Sequence, residues 1–163
     1  MVAGNFVISF LSALSVIIIL LTDKNKYVET AIPKLICGYT VFAFIITWVR
    51  EIIKDMEDIR GDEMFGRKTI PVVMGKPFSK YFSAFLILVI LFSLMLIQYH
   101  QRQWEDWLSF FYAVTFVQFP LVAMLFFLFR AKEEKDFGRL SLLAKVIMLT
   151  GVLSMLIFHL RYQ

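Results

Sequence analysis

Five long apolar stretches alternate with short polar stretches along the chain. Each approaches the ~20 residues that an α-helix needs to cross the hydrocarbon core of a bilayer. The predicted membrane-spanning helices are, in chain order, residues 5–22, 35–53, 78–99, 108–129 and 140–160. The pattern therefore predicts an all-α, multi-pass transmembrane bundle of five spans, with residues 1–163 forming a single domain.

Two residues within these spans allow more specific expectations. Trp48 is expected to pack inside the bundle or to lie near the membrane interface. Pro120 is expected to kink the fourth span, because proline has no backbone N–H to donate. A neighbouring helix can satisfy the carbonyl that is left without its usual partner.

The composition agrees with a membrane protein. Hydrophobic residues make up 60% of the chain, including 18 Phe, whereas soluble domains hold about 45–50%. The net charge of +4 then indicates orientation rather than nucleic-acid binding, so no nucleic-acid partner is expected. The single cysteine, Cys37, excludes an intrachain disulfide and a cysteine metal cluster. The first apolar stretch lacks a basic leader and a small-residue cleavage site, so we expect no cleavable signal peptide.

Lys and Arg are distributed unevenly between the two sides of the predicted bundle. Loops alternate sides, and one side carries eleven of these residues while the other carries five, with Lys145 inside the fifth span. The eleven are Arg50, Lys54, Arg60, Arg67, Lys68, Lys76, Lys80, Arg130, Lys132, Lys135 and Arg139. Because basic loops stay inside, this side is predicted to face the cytoplasm of a bacterial or archaeal cell.

The polar stretch between the second and third spans, residues 50–75, contains six of the 13 acids. On an ideal helix, expected to end near residue 61 or 62, four of these carboxylates share one face within about 60°. They are Glu51, Asp55, Asp58 and Asp62. Like charges at these spacings repel one another, so the pattern favours a bound cation. With the basic residues that lie among and after them, the acids suggest Mg²⁺ holding a phosphorylated substrate.

The spacing Asp55-x-x-Asp58-x-x-x-Asp62 resembles the second aspartate-rich motif of the UbiA superfamily of intramembrane prenyltransferases. The resemblance includes both flanks, which read REIIK at residues 50–54 and GRKTIPVVMG at residues 66–75. The REIIK lead-in is most similar to the branch that prenylates geranylgeranylglyceryl phosphate.

The resemblance implies Mg²⁺-dependent transfer of a prenyl group from a prenyl diphosphate to a membrane-associated acceptor. That acceptor would be lipid-soluble, either geranylgeranylglyceryl phosphate or an aromatic quinone precursor. The implied catalytic residues are Asp55, Asp58, Asp62 and Lys54, of which the three aspartates would also bind the metal. The residues implied to bind the diphosphate are Arg50, Arg67 and Lys68.

Family members have about nine spans and two aspartate motifs that face one cavity. The first motif, Asn-Asp-x-x-Asp-x-x-x-Asp, does not occur in this sequence. The resemblance extends over nearly the whole chain, which would correspond to the C-terminal half of a nine-helix prenyltransferase. We expect an N-terminal half to be missing, and we expect this chain alone to be inactive.

Several alternatives remain open at the level of sequence. The chain could be a truncated, non-catalytic half, or a membrane protein with a cytoplasmic cation-binding helix end. Pairs such as Lys54 with Asp58 could also be ordinary surface ion pairs, which contribute little to stability. CDP-alcohol phosphatidyltransferases are disfavoured because their Asp-Gly-x-x-Ala-Arg core is missing. An ion transporter would be expected to place its acids near the middle of the spans.

Overall fold

The computed structural model describes the backbone of residues 2–22, 32–102 and 107–161, and side chains within 4–18, 36–99 and 107–155. These residues form α1 (Val2–Thr22), α2 (Ile32–Glu57), α3 (Ile59–Met64), α4 (Ile70–Arg102), α5 (Trp107–Ala113), a π-helical segment (Val114–Gln118), α6 (Phe119–Arg130) and α7 (Glu134–Arg161). Within the described part of the chain there is no strand. The predicted all-α class is confirmed.

Four helical stretches are long and apolar enough to cross a membrane: Ile36–Glu57, Ile70–Tyr99, Trp107–Arg130 and Glu134–Met155. A shorter apolar stretch, Gly4–Ile18, lies in α1. All five coincide with predicted spans, so the protein is a multi-pass membrane protein. α4 and α7 begin at Ile70 and Glu134, earlier than predicted. The first turn of α7 is polar, whereas α4 begins with an apolar stretch that contains Pro71, Gly75 and Pro77.

α2 is the central helix of the bundle and contacts α1, α4 and α7. Its buried residues Ile46, Val49, Ile53 and Met56 recur every three or four positions, which places them on one side of the helix. They belong to a core that also contains Ile87 and Ile90 of α4, Leu121, Met124 and Leu128 of α6, and Phe137 and Ile147 of α7. Because lipid tails are as apolar as these side chains, close packing holds the helices together.

A π-helical segment interrupts the fourth predicted span next to Pro120. It lies in the first turn of α6, directly after the π-helical segment. Proline cannot donate to the carbonyl of Phe116, four residues earlier. The Thr150 hydroxyl of α7 donates to that oxygen instead, at 2.9 Å. The expectation that a neighbouring helix satisfies the freed carbonyl is confirmed.

One end of the bundle collects the charged segments. Asn5 at the start of α1 contacts Asp55 near the end of α2, and α3 pairs with the first turn of α7. Gly75 interrupts α4 near the same end, with φ 84° and ψ 158°, a left-handed conformation that glycine adopts without strain. Segments that are far apart in the sequence therefore meet where the aspartates lie.

Candidate active site

The aspartate motif lies on a bent helix rather than on a straight one. α2 ends at Glu57, Asp58 has φ −90° and ψ 9°, and α3 begins at Ile59. The hydrogen bonds from Asp58 N to Lys54 O, 2.9 Å, and from Asp62 N to Asp58 O, 3.0 Å, nevertheless continue the helical pattern. The predicted straight helix ending near residue 61 or 62 is wrong, since the chain bends at Asp58 and α3 continues to Met64.

The bend changes the environment of the individual acids. Ile59 is buried and packs inward directly after the bend, whereas Asp58 is exposed to solvent. Glu51 and Asp62 are buried, and Asp55 is half-buried. Of the four acids predicted to share one helix face, only Asp58 is therefore exposed.

α3 ends in a Schellman motif that places Arg67 beside Asp62. Gly66 adopts φ 63°, its N–H donates to Glu63 O at 3.2 Å, and Arg67 N donates to Asp62 O at 2.8 Å. This pair of bonds, with a glycine in the left-handed conformation, is a common helix terminator. It folds the chain back so that Arg67 Nη1 lies 3.6 Å from Asp62 Oδ1. Only 5% of Asp62 is exposed, and a buried carboxylate needs such a partner.

Asp55 is held from the opposite side by α1. The Asn5 side-chain amide donates to Asp55 Oδ2 at 2.6 Å, and Asn5 itself is buried. Asp55 also interacts electrostatically with Asp62 and Glu51. The structure therefore brings Asp55 and Asp62 into one electrostatic group, which is the core of the predicted site.

Asn5 is a site residue that the sequence did not predict. The available signal was a lone amide near the start of an apolar span, since polar residues in such spans usually have a partner or a function. Nothing in the sequence indicates which helix supplies that partner. The contact joins residues that are 50 positions apart.

The remaining predicted site residues differ in their surroundings. Arg50 forms an ion pair with its neighbour Glu51. Lys54 and Lys68 are exposed, as is Asp58, so these three side chains point away from the packed core. Among the described residues, no group of three or more His, Cys, Asp or Glu is arranged to hold a metal ion. Any metal at this site therefore needs further ligands from outside these side chains.

Glu57 lies against α7. Its Oε1 approaches Gly138 so closely that a Cβ added at this glycine would lie 2.7 Å away. Arg60 Nε and Glu134 Oε1, 2.8 Å apart, also connect α3 to α7, and the Arg60 side chain is 83% exposed. Exposed pairs of this kind contribute little stability. The close approach at Gly138 is therefore the stronger constraint on how α2 and α7 pack.

An aromatic cluster lies on the inward side of the acids. Trp48 packs edge-on against Phe6 of α1 at 5.9 Å, Phe44 of α2 at 5.6 Å and Phe82 of α4 at 5.5 Å between ring centroids. We call these four residues the aromatic slot. Trp48 precedes Asp55 by two helical turns and so shares its side of α2. The expectation that Trp48 packs inside the bundle is confirmed.

The sequence profile of the UbiA prenyltransferase family matches residues 1–157. The chain belongs to the UbiA prenyltransferase family. The resemblance carried by the aspartate motif and its flanks is thus confirmed, and with it the assignment to a family of membrane transferases. No solved structure matches the chain significantly.

Several curated relatives are named digeranylgeranylglyceryl phosphate synthase. The protein from Thermococcus gammatolerans is 29% identical over 118 residues, which cover 72% of this chain and 41% of that protein. The protein from Methanothermobacter thermautotrophicus is 35% identical over 88 residues, or 53% of this chain and 28% of that protein. The chain therefore spans about two-fifths or less of the length of these UbiA relatives.

The Asn5–Asp55 hydrogen bond predicts that the two residues are energetically coupled in the stability of the fold. Replacing Asn5 with Leu should lower the free energy of unfolding by about 2 kcal/mol, since hydrogen bonds to charged groups contribute ~1.5–3 kcal/mol. In an Asp55→Ala background, the same replacement should cost much less. Reversible unfolding in detergent, followed by circular dichroism over all four proteins, measures the difference. A coupling energy near zero would show that the contact does not hold Asp55.

Proposed function

We propose that residues 1–163 form a single transmembrane domain that provides the second aspartate motif of a prenyltransferase site. The reaction would transfer a prenyl group from a prenyl diphosphate to a glyceryl phosphate acceptor in the membrane. The observation that carries the proposal is that the buried Asp62 and the half-buried Asp55 interact electrostatically at one end of the bundle, with Trp48 of the aromatic slot two helical turns before Asp55. A polar site for a diphosphate thus adjoins an apolar site for its tail.

The carboxylates suit Mg²⁺ bound together with a diphosphate. Mg²⁺ usually takes only one or two protein carboxylates and completes its shell with phosphate oxygens and water, so the absence of a three-acid cluster among the described residues is compatible with this metal. Asp55 and Asp62 would hold the ion from the buried side, and Asp58 from the exposed side. When bound, Mg²⁺ neutralises charge on the leaving diphosphate.

The basic residues of the motif would position the diphosphate. Arg67 is already fixed by the Schellman motif and by Asp62. Lys54 and Lys68 are exposed and free to turn toward phosphate oxygens, and charge-assisted bonds of this kind are strong. Arg50 is engaged with Glu51 and would reach the substrate only by exchanging that carboxylate for a phosphate oxygen.

The aromatic slot would accept the isoprenoid tail. When the allylic carbon–oxygen bond lengthens, positive charge develops on the carbon while the diphosphate gains negative charge. The faces of Trp48 and the neighbouring Phe rings attract cations, an interaction worth about 2 kcal/mol where water is excluded. The same rings keep water from the reacting carbon, which would otherwise be hydrolysed.

A glyceryl phosphate acceptor is favoured over an aromatic quinone precursor because the relatives carry the former in their names. The test is an assay with radiolabelled geranylgeranyl diphosphate and Mg²⁺, in which this chain is combined with a polypeptide that carries the Asn-Asp-x-x-Asp-x-x-x-Asp motif. Geranylgeranylglyceryl phosphate and 4-hydroxybenzoate are the two acceptors. We expect product with the first only, and none with EDTA.

Two results would contradict the proposal. Product with the aromatic acceptor alone would place the chain in the quinone branch. No product with any acceptor, despite a stable complex, would favour a non-catalytic half or a simple cation-binding helix end.

We infer that the motif end of the bundle faces the cytoplasm, because eleven Lys and Arg fall on that side and five on the other. Two of the five, Lys24 and Lys26, lie outside the described residues.

Cysteine labelling tests the orientation. In a Cys37→Ser background, a Glu63→Cys variant presents a thiol at an exposed position of α3. We expect a membrane-impermeant maleimide to label it only after the cells are opened. A Lys26→Cys variant is the control and should be labelled in intact cells. The reverse pattern would invert the topology.

A further inference from the structure

A lysine-lined cleft lies at the motif end of the bundle, between the start of α4 and the connection from α6 to α7. It has a volume of about 380 Å³ and is lined mainly by Lys76, Lys80, Lys132, Tyr81, Phe129 and Phe137. The proposed prenyl site uses none of these residues. It is formed by α1, α2, α3 and the inner face of α4, whereas the cleft opens on the side of α6 and α7.

The cleft concentrates positive charge around one buried ring. Lys76 Nζ and Lys80 Nζ lie 5.8 Å and 5.6 Å from the centroid of Phe137, which is fully buried. Lys80 also donates to the carbonyl oxygen of Ala131. Two ammonium groups that share one ring repel each other, and an anion between them would relieve that repulsion.

Asp136, an acid that acts electrostatically on Lys80, already accepts two hydrogen bonds. Asp136 Oδ2 accepts the backbone N–H groups of Lys132 and Glu133 at 3.0 Å and 3.1 Å. Asp136 acts electrostatically on Lys80, as do Lys76 and Lys132. One carboxylate therefore faces three lysines, and the cleft keeps an excess of positive charge.

The rim of the cleft is apolar and lies at the membrane boundary. Tyr81 and Phe129 pack against each other at 5.7 Å between ring centroids, and they are 68% and 49% exposed. They belong to the stretches Ile70–Tyr99 and Trp107–Arg130, which are apolar enough to cross the membrane. An anion held by the lysines would therefore have acyl-chain surface directly beside it.

We propose that this cleft binds the phosphate headgroup of an anionic membrane phospholipid. Lys76, Lys80 and Lys132 would bind the phosphate, and an acyl chain would lie along Tyr81 and Phe129. A soluble phosphate would use the lysines but leave the aromatic rim without a partner, so the rim favours a lipid.

Binding is measured on the purified chain in detergent, with dioctanoyl phosphatidylglycerol as the probe and native mass spectrometry as the readout. Dioctanoyl phosphatidylcholine and glycerol 3-phosphate are compared at equal concentration. The test variant is Lys76→Gln with Lys132→Gln, and the matched control is Lys135→Gln, an exposed lysine that does not line the cleft. Each lysine near an anionic headgroup contributes about a fivefold factor, so the double variant should bind ~25-fold more weakly.

The proposal requires that phosphatidylglycerol bind better than both comparison ligands and that Lys135→Gln leave its affinity unchanged. Equal losses of affinity in the control and in the double variant would mean that general surface charge, rather than the cleft, binds the lipid. That result would overturn the proposal. Equal binding of glycerol 3-phosphate would overturn the lipid assignment in favour of a free phosphate. If the double variant does not fold, Lys132→Gln alone, at an exposed position, should still weaken binding about fivefold.

Discussion

Replacing Asp62 with Asn should lower the rate of prenyl transfer about a hundredfold or more in an assembly that is active. Asp62 is buried, lies beside Arg67 and acts on Asp55, so the substitution removes a charge from the centre of the proposed metal site. Losing one preorganised electrostatic group from a catalytic site commonly costs a factor of ~10²–10³ in rate. Initial rates over a range of Mg²⁺ concentrations, with labelled geranylgeranyl diphosphate, provide the measurement.

The Mg²⁺ dependence separates a metal role from a structural one. If Asp62 binds the metal, the Asn variant should need more Mg²⁺ for half-maximal rate, while its helix content and melting behaviour stay close to those of the parent protein. Asp58→Asn should show the same shift, and because Asp58 is exposed, its variant should fold normally. A large loss of activity without any change in Mg²⁺ dependence would argue against metal binding by these acids.

Glu63→Gln is the matched control for these variants. Glu63 lies beside Asp62 in α3 but is exposed, so its replacement changes the charge equally without touching the proposed site. Glu57 is a poor control because its carboxylate packs against Gly138 of α7. An equal rate loss in Glu63→Gln and Asp62→Asn would mean that the total charge of the helix matters, rather than a directed site.

The helices could be predicted from sequence because the signal is local. A run of apolar residues long enough to span a bilayer specifies a helix wherever it occurs, since an unpaired backbone group in lipid costs several kcal/mol. The start of α7 was misplaced because its first turn, EKDF, is polar. The start of α4 was misplaced because Pro71, Gly75 and Pro77 interrupt an apolar stretch that is already helical from Ile70. The bend at Asp58 was missed because an ideal helix was assumed through the whole acidic segment, whereas Asp58 has φ −90° and ψ 9°.

The contacts that could not be predicted join distant segments. In the site, Asn5 meets Asp55, and outside it Lys76, Lys80 and Lys132 line one cleft. Periodicity describes one helix at a time and says nothing about which helices are neighbours. The aspartate motif was found because its members lie on one short segment, whereas the residue that holds Asp55 lies on another helix.

The purified 163-residue chain should transfer no prenyl group when it is assayed alone. A prenyl diphosphate carries about three negative charges, and a site with one motif offers only part of the ligands that Mg²⁺ needs to neutralise them. This sequence contains no second spaced set of aspartates, and it spans about two-fifths of the Thermococcus gammatolerans relative. Weak binding of the diphosphate, without turnover, is the expected result.

The aromatic slot gives an independent reason for the same expectation. Phe6 of the slot and the adjoining Phe10 and Phe78 are 47%, 48% and 45% exposed, so the described residues leave these rings uncovered. Water or lipid could reach a developing allylic cation there, and the electrostatic advantage of a closed site would be lost. A polypeptide that supplies the first motif should cover these rings when it binds.

Two measurements on the same samples test whether this chain provides only half of the prenyltransferase site. Transfer of label to geranylgeranylglyceryl phosphate should appear only when the polypeptide with the first motif is added, and Phe10→Cys should then become protected from a lipid-soluble maleimide. Robust Mg²⁺-dependent transfer by the chain alone would refute the half-site interpretation. Turnover that appears only in a homodimer would also refute it, because two copies of one motif would then replace two different ones. Protection of Phe10→Cys without turnover would instead show that the two polypeptides assemble around the slot and that the assembled site lacks a catalytic group.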